Sequence, residues 1–442
     1  MSHVFPRHCR TSPPTAVRGE GCYLYDSTGK AYLDGSGGAA VSCLGHGDTD
    51  VIAAVQKQVA DLAFAHTGFL TSEPAEALAD LLAKHAPGNL DKVYFVSGGS
   101  EATEAAIKLA RQYFMEIDQP ERRHLIARRQ SYHGNTIGAL SAGGNELRKR
   151  QFVPLLIDVS HIAPCYEYTL RGEGESAQEY GLRAAQELED EILRFGPEKV
   201  MAFMAEPVVG ATLGAVPAVE GYFKRIREIC DQYGVLLILD EVMCGMGRTG
   251  HLFACTADGI VPDILCIAKG LGAGYQPIGA MLCTDAIYET IKAGSGFFQH
   301  GHTYLGHPVA TAAGLAVVQK ILDQDLCNKS GAQGEKLSTV LHERFAQHPH
   351  IGDIRGRGLF QAIELVEDRE TKAPFDPERG LAGKIKTAAF EAGLICYPMS
   401  GTRDGQVGDH VLLAPPFIIE DAQIEELVNK LNKAIASSFA RH

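Results

Sequence analysis

The sequence predicts an α/β fold, with a large domain around a mostly parallel central sheet and a smaller α+β domain built from the two ends of the chain. From about residue 50 to 320, short apolar runs alternate with longer amphipathic stretches, a pattern typical of a sheet covered on both faces. Both ends depart from that pattern. We therefore expect residues 1–55 to be the N-terminal segment of the small domain, residues 56–320 the large domain, and residues 321–442 the C-terminal part of the small domain.

The apolar runs and amphipathic stretches predict the individual elements. The hairpin expected at 20–34 turns around residues 27–29. The Glu- and Gln-rich stretch 171–194 predicts a solvated loop and helix rather than a functional acidic patch. Strands are expected at 92–96, 200–205, 235–239, 264–268 and 358–364, and helices at 101–114 and 222–233.

Composition and charge exclude several classes of protein. The chain has 442 residues, 45% of them hydrophobic, but no apolar run approaches the ~20 residues of a membrane span. Its polar N-terminal stretch lacks the apolar core of a secretory signal. Eleven cysteines without a C-x-x-C pair indicate free thiols in a reducing compartment, and a net charge of −13 argues against nucleic acid as a partner. We expect a cytoplasmic enzyme.

Two charged residues stand where apolar strands are predicted to end. The run 235–239 is followed by Asp240, and the run 264–268 is followed by Lys269 and a glycine-rich loop. Open α/β sheets bind ligands beyond the carboxyl ends of their strands. Burial there would lower the pKa of a lysine and make its amine nucleophilic, whereas the alternative is a lysine that reaches solvent from the strand end.

A third element suits a phosphate group. The predicted strand 92–96 runs into Ser97, Gly98, Gly99 and Ser100 and then into a helix, whose N-terminal N–H groups and dipole favour an anion. The glycines allow close approach of the backbone, and Ser100 can cap the helix and donate to phosphate. A phosphate cradle, a carboxylate and a lysine match pyridoxal phosphate. This cofactor needs an anchored phosphate, an amine for a Schiff base and a carboxylate that keeps its pyridine nitrogen protonated.

These residues belong to a series of short motifs: SGGSEA (97–102), SYHG (131–134), AEP (205–207), LDEV (239–242), GMGRTG (245–250), AKG (268–270) and HTY (302–304). With them the sequence resembles the class III aminotransferases, the ω-amino-acid and amine transaminases, over roughly residues 17–430. The resemblance implies pyridoxal-phosphate fold type I, the aspartate-aminotransferase-like fold. It also implies that Lys269 carries the cofactor as a Schiff base and that Asp240 pairs with the pyridine nitrogen.

The resemblance assigns further residues to the cofactor and the substrate. Tyr132, with His133 and Gly134 beside it, would stack on one face of the ring, and Val242 would pack on the other. Gly99 and Ser100 would bind the phosphate, with Thr303 reaching it from a neighbouring subunit. Glu206 would lie on the substrate side of the ring, and Arg403 is the candidate for a substrate carboxylate.

The activity that the resemblance implies is ping-pong transamination. An ω-amino acid or amine gives its amino group to the cofactor, and an α-keto acid, pyruvate by family resemblance, then accepts it. Class III aminomutases and decarboxylases use the same cofactor site and remain alternatives. A phosphate ligand from a neighbouring subunit implies a homodimer with active sites at the interface, or a tetramer.

Three other interpretations are weaker. Residues 98–102 also resemble the nucleophile elbow of an α/β serine hydrolase with Ser100 as nucleophile and Asp240 and His302 as partners, but this leaves Lys269 unexplained. The GxGxxG pattern at 245–250 lacks the following helix that a dinucleotide site requires. No carboxylate or thiol spacing supports a metal at the histidines near residue 300, so no metal is expected.

Overall fold

The structure is a computed structural model that describes residues 3–440. Residues 1–2 of the predicted N-terminal segment and residues 441–442 of the predicted C-terminal segment lie outside the described residues. The strands are β1 (Ala16–Glu20), β2 (Tyr23–Asp26), β3 (Ala31–Asp34), β4 (Lys92–Val96), β5 (His124–Arg128), β6 (Val159–Ile162), β7 (Val200–Ala205), β8 (Val208–Val209), β9 (Val216–Pro217), β10 (Leu236–Asp240), β11 (Ile264–Ile267), β12 (Gly279–Cys283), β13 (Ile351–Arg357), β14 (Phe360–Leu365), β15 (Leu394–Ile395), β16 (Tyr397–Ser400) and β17 (Asp409–Leu413).

The helices are α1 (Gly37–Ala40), α2 (Thr49–Asp61), α3 (Glu73–His85), α4 (Gly99–Glu116), α5 (Ile137–Ala142), α6 (Glu146–Lys149), α7 (Glu167–Leu170), α8 (Ala177–Phe195), α9 (Tyr222–Tyr233), α10 (Asp285–Ala293), α11 (Pro308–Asp323), α12 (Leu326–Phe345), α13 (Leu381–Glu391) and α14 (Asp421–Ala440). The helix predicted at 222–233 is α9, and the one predicted at 101–114 is the centre of α4.

The central sheet has seven strands in the order β4-β12-β11-β10-β7-β5-β6. From β11 to β6 all neighbours run parallel. Only β12 is reversed, being antiparallel to both β11 and β4. The prediction of an α/β fold with a mostly parallel central sheet is therefore confirmed.

Helices cover both faces of this sheet, as its continuous apolar strands require. Successive residues of β10 point to opposite faces. Leu237 and Leu239 join an apolar cluster with α8 and α9, while Leu236 and Ile238 join a second cluster with α4. Both layers are buried, so the residues at the amino and carboxyl ends of the strands are held in fixed positions.

Helix α8 corrects one sequence interpretation. The stretch 171–194 was expected to be a solvated loop and helix, and most of it is helical, but one face is buried through Tyr180, Leu188 and Ile192. The acidic residues of this stretch form ion pairs: Glu189 pairs with Arg225 of α9, and Glu175, just before the helix, pairs with Arg183. Across residues 3–440, no helix combines the length and the apolar character needed to cross a membrane.

The two ends of the chain share a second sheet. The hairpin predicted at 20–34 is formed by β2 and β3, and β3 then pairs in parallel with β15 through Leu33 and Leu394. A further antiparallel sheet, β13-β14-β17-β16, comes from the C-terminal part. The expected domain boundaries at 55/56 and 320/321 fall inside α2 and α11, and the division into domains stays a prediction.

Candidate active site

A cavity of about 550 Å³ lies at the carboxyl edge of the central sheet. It is bounded by the segments that follow β4, β5, β7, β10 and β11, because parallel strands bring their carboxyl ends to the same edge. The sequence-predicted residues that line it are Ser97, Gly98, Gly99, Ser100, Tyr132, His133, Gly134, Glu206, Asp240, Val242 and Lys269. The structure thus brings together residues from motifs that are far apart in the sequence.

Lys269 follows β11 and extends into this cavity. Its backbone has a φ of 46°, a left-handed conformation that is uncommon for a residue with a side chain and is often found at functional sites. Its Nζ donates a hydrogen bond of 3.0 Å to the carbonyl oxygen of Ala39. Burial lowers the pKa of the Lys269 ammonium from 10.5 to about 8, outweighing the opposing effects of Asp240 and Glu206. An appreciable fraction of the amine is therefore neutral near pH 7 and able to attack a carbonyl group.

Asp240 is the last residue of β10 and is almost fully buried. Its Oδ2 lies 2.8 Å from Nδ1 of His133, and its Oδ1 accepts a 2.9 Å hydrogen bond from the backbone N–H of Val242. Two carboxylate oxygens offer about four lone-pair sites, so this arrangement orients the carboxylate and leaves acceptor capacity on the cavity side.

The cradle predicted for a phosphate group lies at the start of α4. A Cβ atom on Gly99 would be 2.7 Å from Cγ1 of Val242, and one on Gly134, whose φ is 134°, would be 2.6 Å from Oγ of Ser100. Position 134 therefore requires glycine, and a side chain at position 99 would have to displace Val242. Contrary to expectation, Ser100 does not cap the helix, because the N-cap is Gly98. The Ser100 hydroxyl instead accepts a 3.1 Å hydrogen bond from the backbone N–H of Asn135.

Glu206 follows β7 and is buried beside the same cavity. Burial raises the pKa of its carboxyl group to about 7. Its Oε1 is 3.5 Å from the backbone N–H of Gly210, whereas Oε2 has no hydrogen-bond partner within the described part of the chain. Such a group can hold or release a proton near neutral pH.

These residues fit pyridoxal phosphate. The cavity volume lies within the range of small-molecule sites, about 300–1,000 Å³. Buried polar atoms are normally hydrogen-bonded, yet Nε2 of His133 and Oε2 of Glu206, both on cavity-lining residues, lack a partner among residues 3–440. The N-terminus of α4, which has no side chains at Gly98 and Gly99, suits the phosphate group. Lys269 suits the formation of a Schiff base, and Asp240 suits the pyridine nitrogen.

Two predicted site residues lie outside this cavity. Thr303 is exposed in the turn before α11. Arg403, between β16 and β17, donates to the carbonyl oxygen of Lys372 and lies 3.7 Å from Oε1 of Glu364. The structure therefore does not bring either side chain to Lys269 within one chain.

The serine-hydrolase alternative is wrong. The Ser100 hydroxyl accepts a hydrogen bond from the backbone N–H of Asn135, and Asp240 is paired with His133 instead of His302. His302 does not line the cavity.

The described residues contain no group of three or more side chains that could hold a metal ion.

Sequence reasoning missed several residues of the cavity wall, two arginines and a tyrosine among them. Arg7, Arg148 and Tyr397 line it together with Lys269. Arg148 lies in a stretch, 145–150, whose high charge is indistinguishable from that of a solvated helix. Its position is set by tertiary packing, so no local pattern could have identified it.

Comparison with known proteins agrees with this site. The model of the family described as aminotransferase class-III matches residues 5–435. An uncharacterised aminotransferase of Schizosaccharomyces pombe is 48% identical over 100% of this chain and 95% of its own length. The putrescine–pyruvate aminotransferase of Pseudomonas aeruginosa is 35% identical over 96% and 91%. A solved (S)-enantioselective ω-transaminase from Thermomicrobium roseum superposes with a TM-score of 0.92 at 38% identity, covering 99% of this chain and 96% of that one. The chain belongs to the class III aminotransferases, enzymes of fold type I that depend on pyridoxal phosphate.

Proposed function

We propose that this enzyme transfers an amino group from an ω-amino acid or amine donor to an α-keto acid by a ping-pong mechanism, with pyruvate as the acceptor. The observation that carries the proposal is the presence of Lys269 and Asp240 in one cavity beside the N-terminus of α4. Pyruvate is favoured because a relative that matches along nearly the whole chain is named a putrescine–pyruvate aminotransferase.

Each residue of the cavity would have its own role in binding the cofactor or in the reaction. When bound, pyridoxal phosphate supplies a ring that accepts electrons from the carbon bearing the donor nitrogen. Gly99 and Ser100 would bind its phosphate, and Asp240 would keep its ring nitrogen protonated. Lys269 would attach it and, once released, its Nζ would move the proton at the donor carbon. Glu206, with a pKa near 7, would set the charge on the substrate side.

Two side chains on opposite sides of the cavity would hold the cofactor ring between them. Tyr132, on the segment that also carries His133 and Gly134, would form one wall, and Val242 the other. Support comes from the 2.7 Å separation between Cγ1 of Val242 and the Cβ position of Gly99, which places this side chain directly over the phosphate cradle.

A homodimer is the proposed assembly, with Thr303 reaching the partner's cofactor site. Phe297 and Tyr304, on either side of Thr303, are exposed. The ring of Phe64 lies 5.6 Å from that of Tyr304. Phe69 is 87% exposed and Tyr304 61%, as expected of surfaces that bury against another subunit. Sedimentation should give a dimer or larger, and a monomeric active enzyme would contradict the assignment of Thr303.

A cytoplasmic location stays a prediction from the free cysteines.

Absorbance of the purified holoenzyme tests the two half-reactions. The band of the bound cofactor should bleach when a suitable donor is added without keto acid, and pyruvate should restore it. A panel of ω-amino acids, monoamines and diamines identifies the donor class. A holoenzyme that no donor bleaches, or that pyruvate cannot restore after bleaching, would contradict the proposal.

A further inference from the structure

Arg148 presents a cation to the active-site cavity without an acidic partner. Its side chain leaves α6, is half-buried, and places the guanidinium carbon 4.6 Å from the centroid of the Tyr132 ring. It lines the same cavity as Lys269. Within residues 3–440, no carboxylate lies within 4.0 Å of this guanidinium and no hydrogen bond satisfies it. A cation over an aromatic ring, facing a cavity and lacking a counterion, is suited to an anionic ligand.

Buried hydrogen bonds fix the helix that carries this cation. Oδ1 of Asn145 caps α6 by accepting a 3.2 Å hydrogen bond from the N–H of Arg148, and Nδ2 of Asn145 donates to Oε1 of Gln130 at 3.1 Å. Nε2 of Gln130 donates in turn to the carbonyl oxygens of Gly401 and Thr402, at 2.6 and 3.0 Å. Gln130 is buried and has a φ of 58°. Its backbone strain is therefore maintained by contacts with two segments at once, so the position of α6 is set before any ligand binds.

The distribution of charge in the cavity separates this cation from the cofactor residues. Asp240 and Glu206, the carboxylates of the cavity wall, lie at the strand ends with Lys269, whereas Arg7 from the N-terminal segment adds a second cation on the side of Arg148 and Tyr132. The cradle at the start of α4 already provides donors for a phosphate group. The anion that remains to be bound is therefore one carried by the substrate.

We propose that Arg148 binds the carboxylate of the amine donor at the end remote from the reacting amine, so that the enzyme selects ω-amino acids over uncharged amines and diamines. The inference deepens the proposed function and rests on it. A monoamine offers this cation nothing to pair with, and the second ammonium of a diamine is repelled by it. A charge-assisted hydrogen bond of this kind typically changes affinity by about 10- to 100-fold.

Donors of equal length test the selectivity of the holoenzyme. For the Arg148→Gln variant, kcat/KM with 4-aminobutyrate should fall about 10- to 100-fold, while that with butylamine should stay within about twofold and that with 1,4-diaminobutane should rise. Arg148→Lys should keep part of the preference, and Arg150→Gln, at an exposed arginine at the end of the same helix, should leave all three donors unchanged. β-Alanine and 6-aminohexanoate, each with its matched alkylamine, cover shorter and longer donors. Equal losses for all donors, or no loss for any carboxylate donor, would overturn the proposal.

Two binding measurements separate this inference from neighbouring ones. The affinity of the apoprotein for pyridoxal phosphate should be the same in wild type and Arg148→Gln; a weaker affinity in the variant would show that Arg148 binds the cofactor's phosphate instead. Calorimetric titration of the holoenzyme with pentanoate, which has the carboxylate but no amine, should show binding that the variant loses by tenfold or more. Equal pentanoate affinities would refute the role of Arg148 even if transamination is established. If no donor reacts at all, the proposed function fails while this titration still decides the role of Arg148.

Discussion

The uptake of pyridoxal phosphate by the apoprotein should follow the titration of Lys269. Only the neutral amine attacks the cofactor's aldehyde, so uptake rises with pH as the ammonium loses its proton. With a pKa of about 8, about 9% of the amine is neutral at pH 7 and about 90% at pH 9. The rate should therefore rise about tenfold between these values and then level off. A lysine with the ordinary pKa of 10.5 would instead accelerate about 100-fold over the same interval and continue to rise.

Stopped-flow absorbance after mixing apoprotein with the cofactor measures this profile directly. Glu206 provides the internal control, because its carboxylate raises the pKa of Lys269 and its own pKa of about 7 falls within the interval. The Glu206→Gln variant should move the midpoint to lower pH. A rate that keeps increasing in proportion to hydroxide beyond pH 10 would refute the conclusion that burial lowers the lysine pKa.

Three substitutions test the other parts of the site. Lys269→Ala should abolish turnover, because the variant has no amine to attach the cofactor or move the proton; near-normal turnover in a steady-state assay would remove Lys269 from its role. Asp240→Asn should still bind pyridoxal phosphate in an absorbance titration but lower kcat by orders of magnitude, since a neutral amide no longer holds the ring nitrogen protonated; an unchanged kcat would exclude that pairing. Gly99→Ala places a Cβ 2.7 Å from Val242, and relieving this clash should shift Val242 or the turn at Gly99 away from the cofactor, so the cofactor should dissociate about tenfold more readily; equal retention during dialysis would exclude a role for Gly99 in binding the phosphate.

The residues that the sequence placed at the edge of the sheet are those whose position follows from local rules. An apolar run that ends in a charged residue puts that residue at the carboxyl edge of a parallel sheet. The positions of Asp240 and Lys269 could therefore be predicted from the sequence alone. The turn and helix after β4 place Gly99 at the same edge for the same reason. Each of these predictions needs only a strand, its end and the residue that follows.

Features that depend on tertiary contacts could not be predicted in this way. The reversal of β12 leaves no mark on its sequence, because a strand buried on both faces is apolar in either direction. Strand β13 escaped notice because its Arg355 and Arg357 look solvent-exposed, whereas they pair with Glu364 and Asp258. Arg148 reaches the cavity only through the hydrogen bonds that hold α6 in place.

Tracing the donor nitrogen tests the central claim most directly. The holoenzyme should be incubated with a donor labelled with ¹⁵N and with unlabelled pyruvate, and the products analysed by mass spectrometry. Transamination predicts that alanine carries the label and that the donor is recovered as its carbonyl product in equal amount. Release of carbon dioxide with the nitrogen left on the shortened donor would indicate a decarboxylase, and a donor isomer with the amino group on a different carbon would indicate an aminomutase; either result would contradict the account.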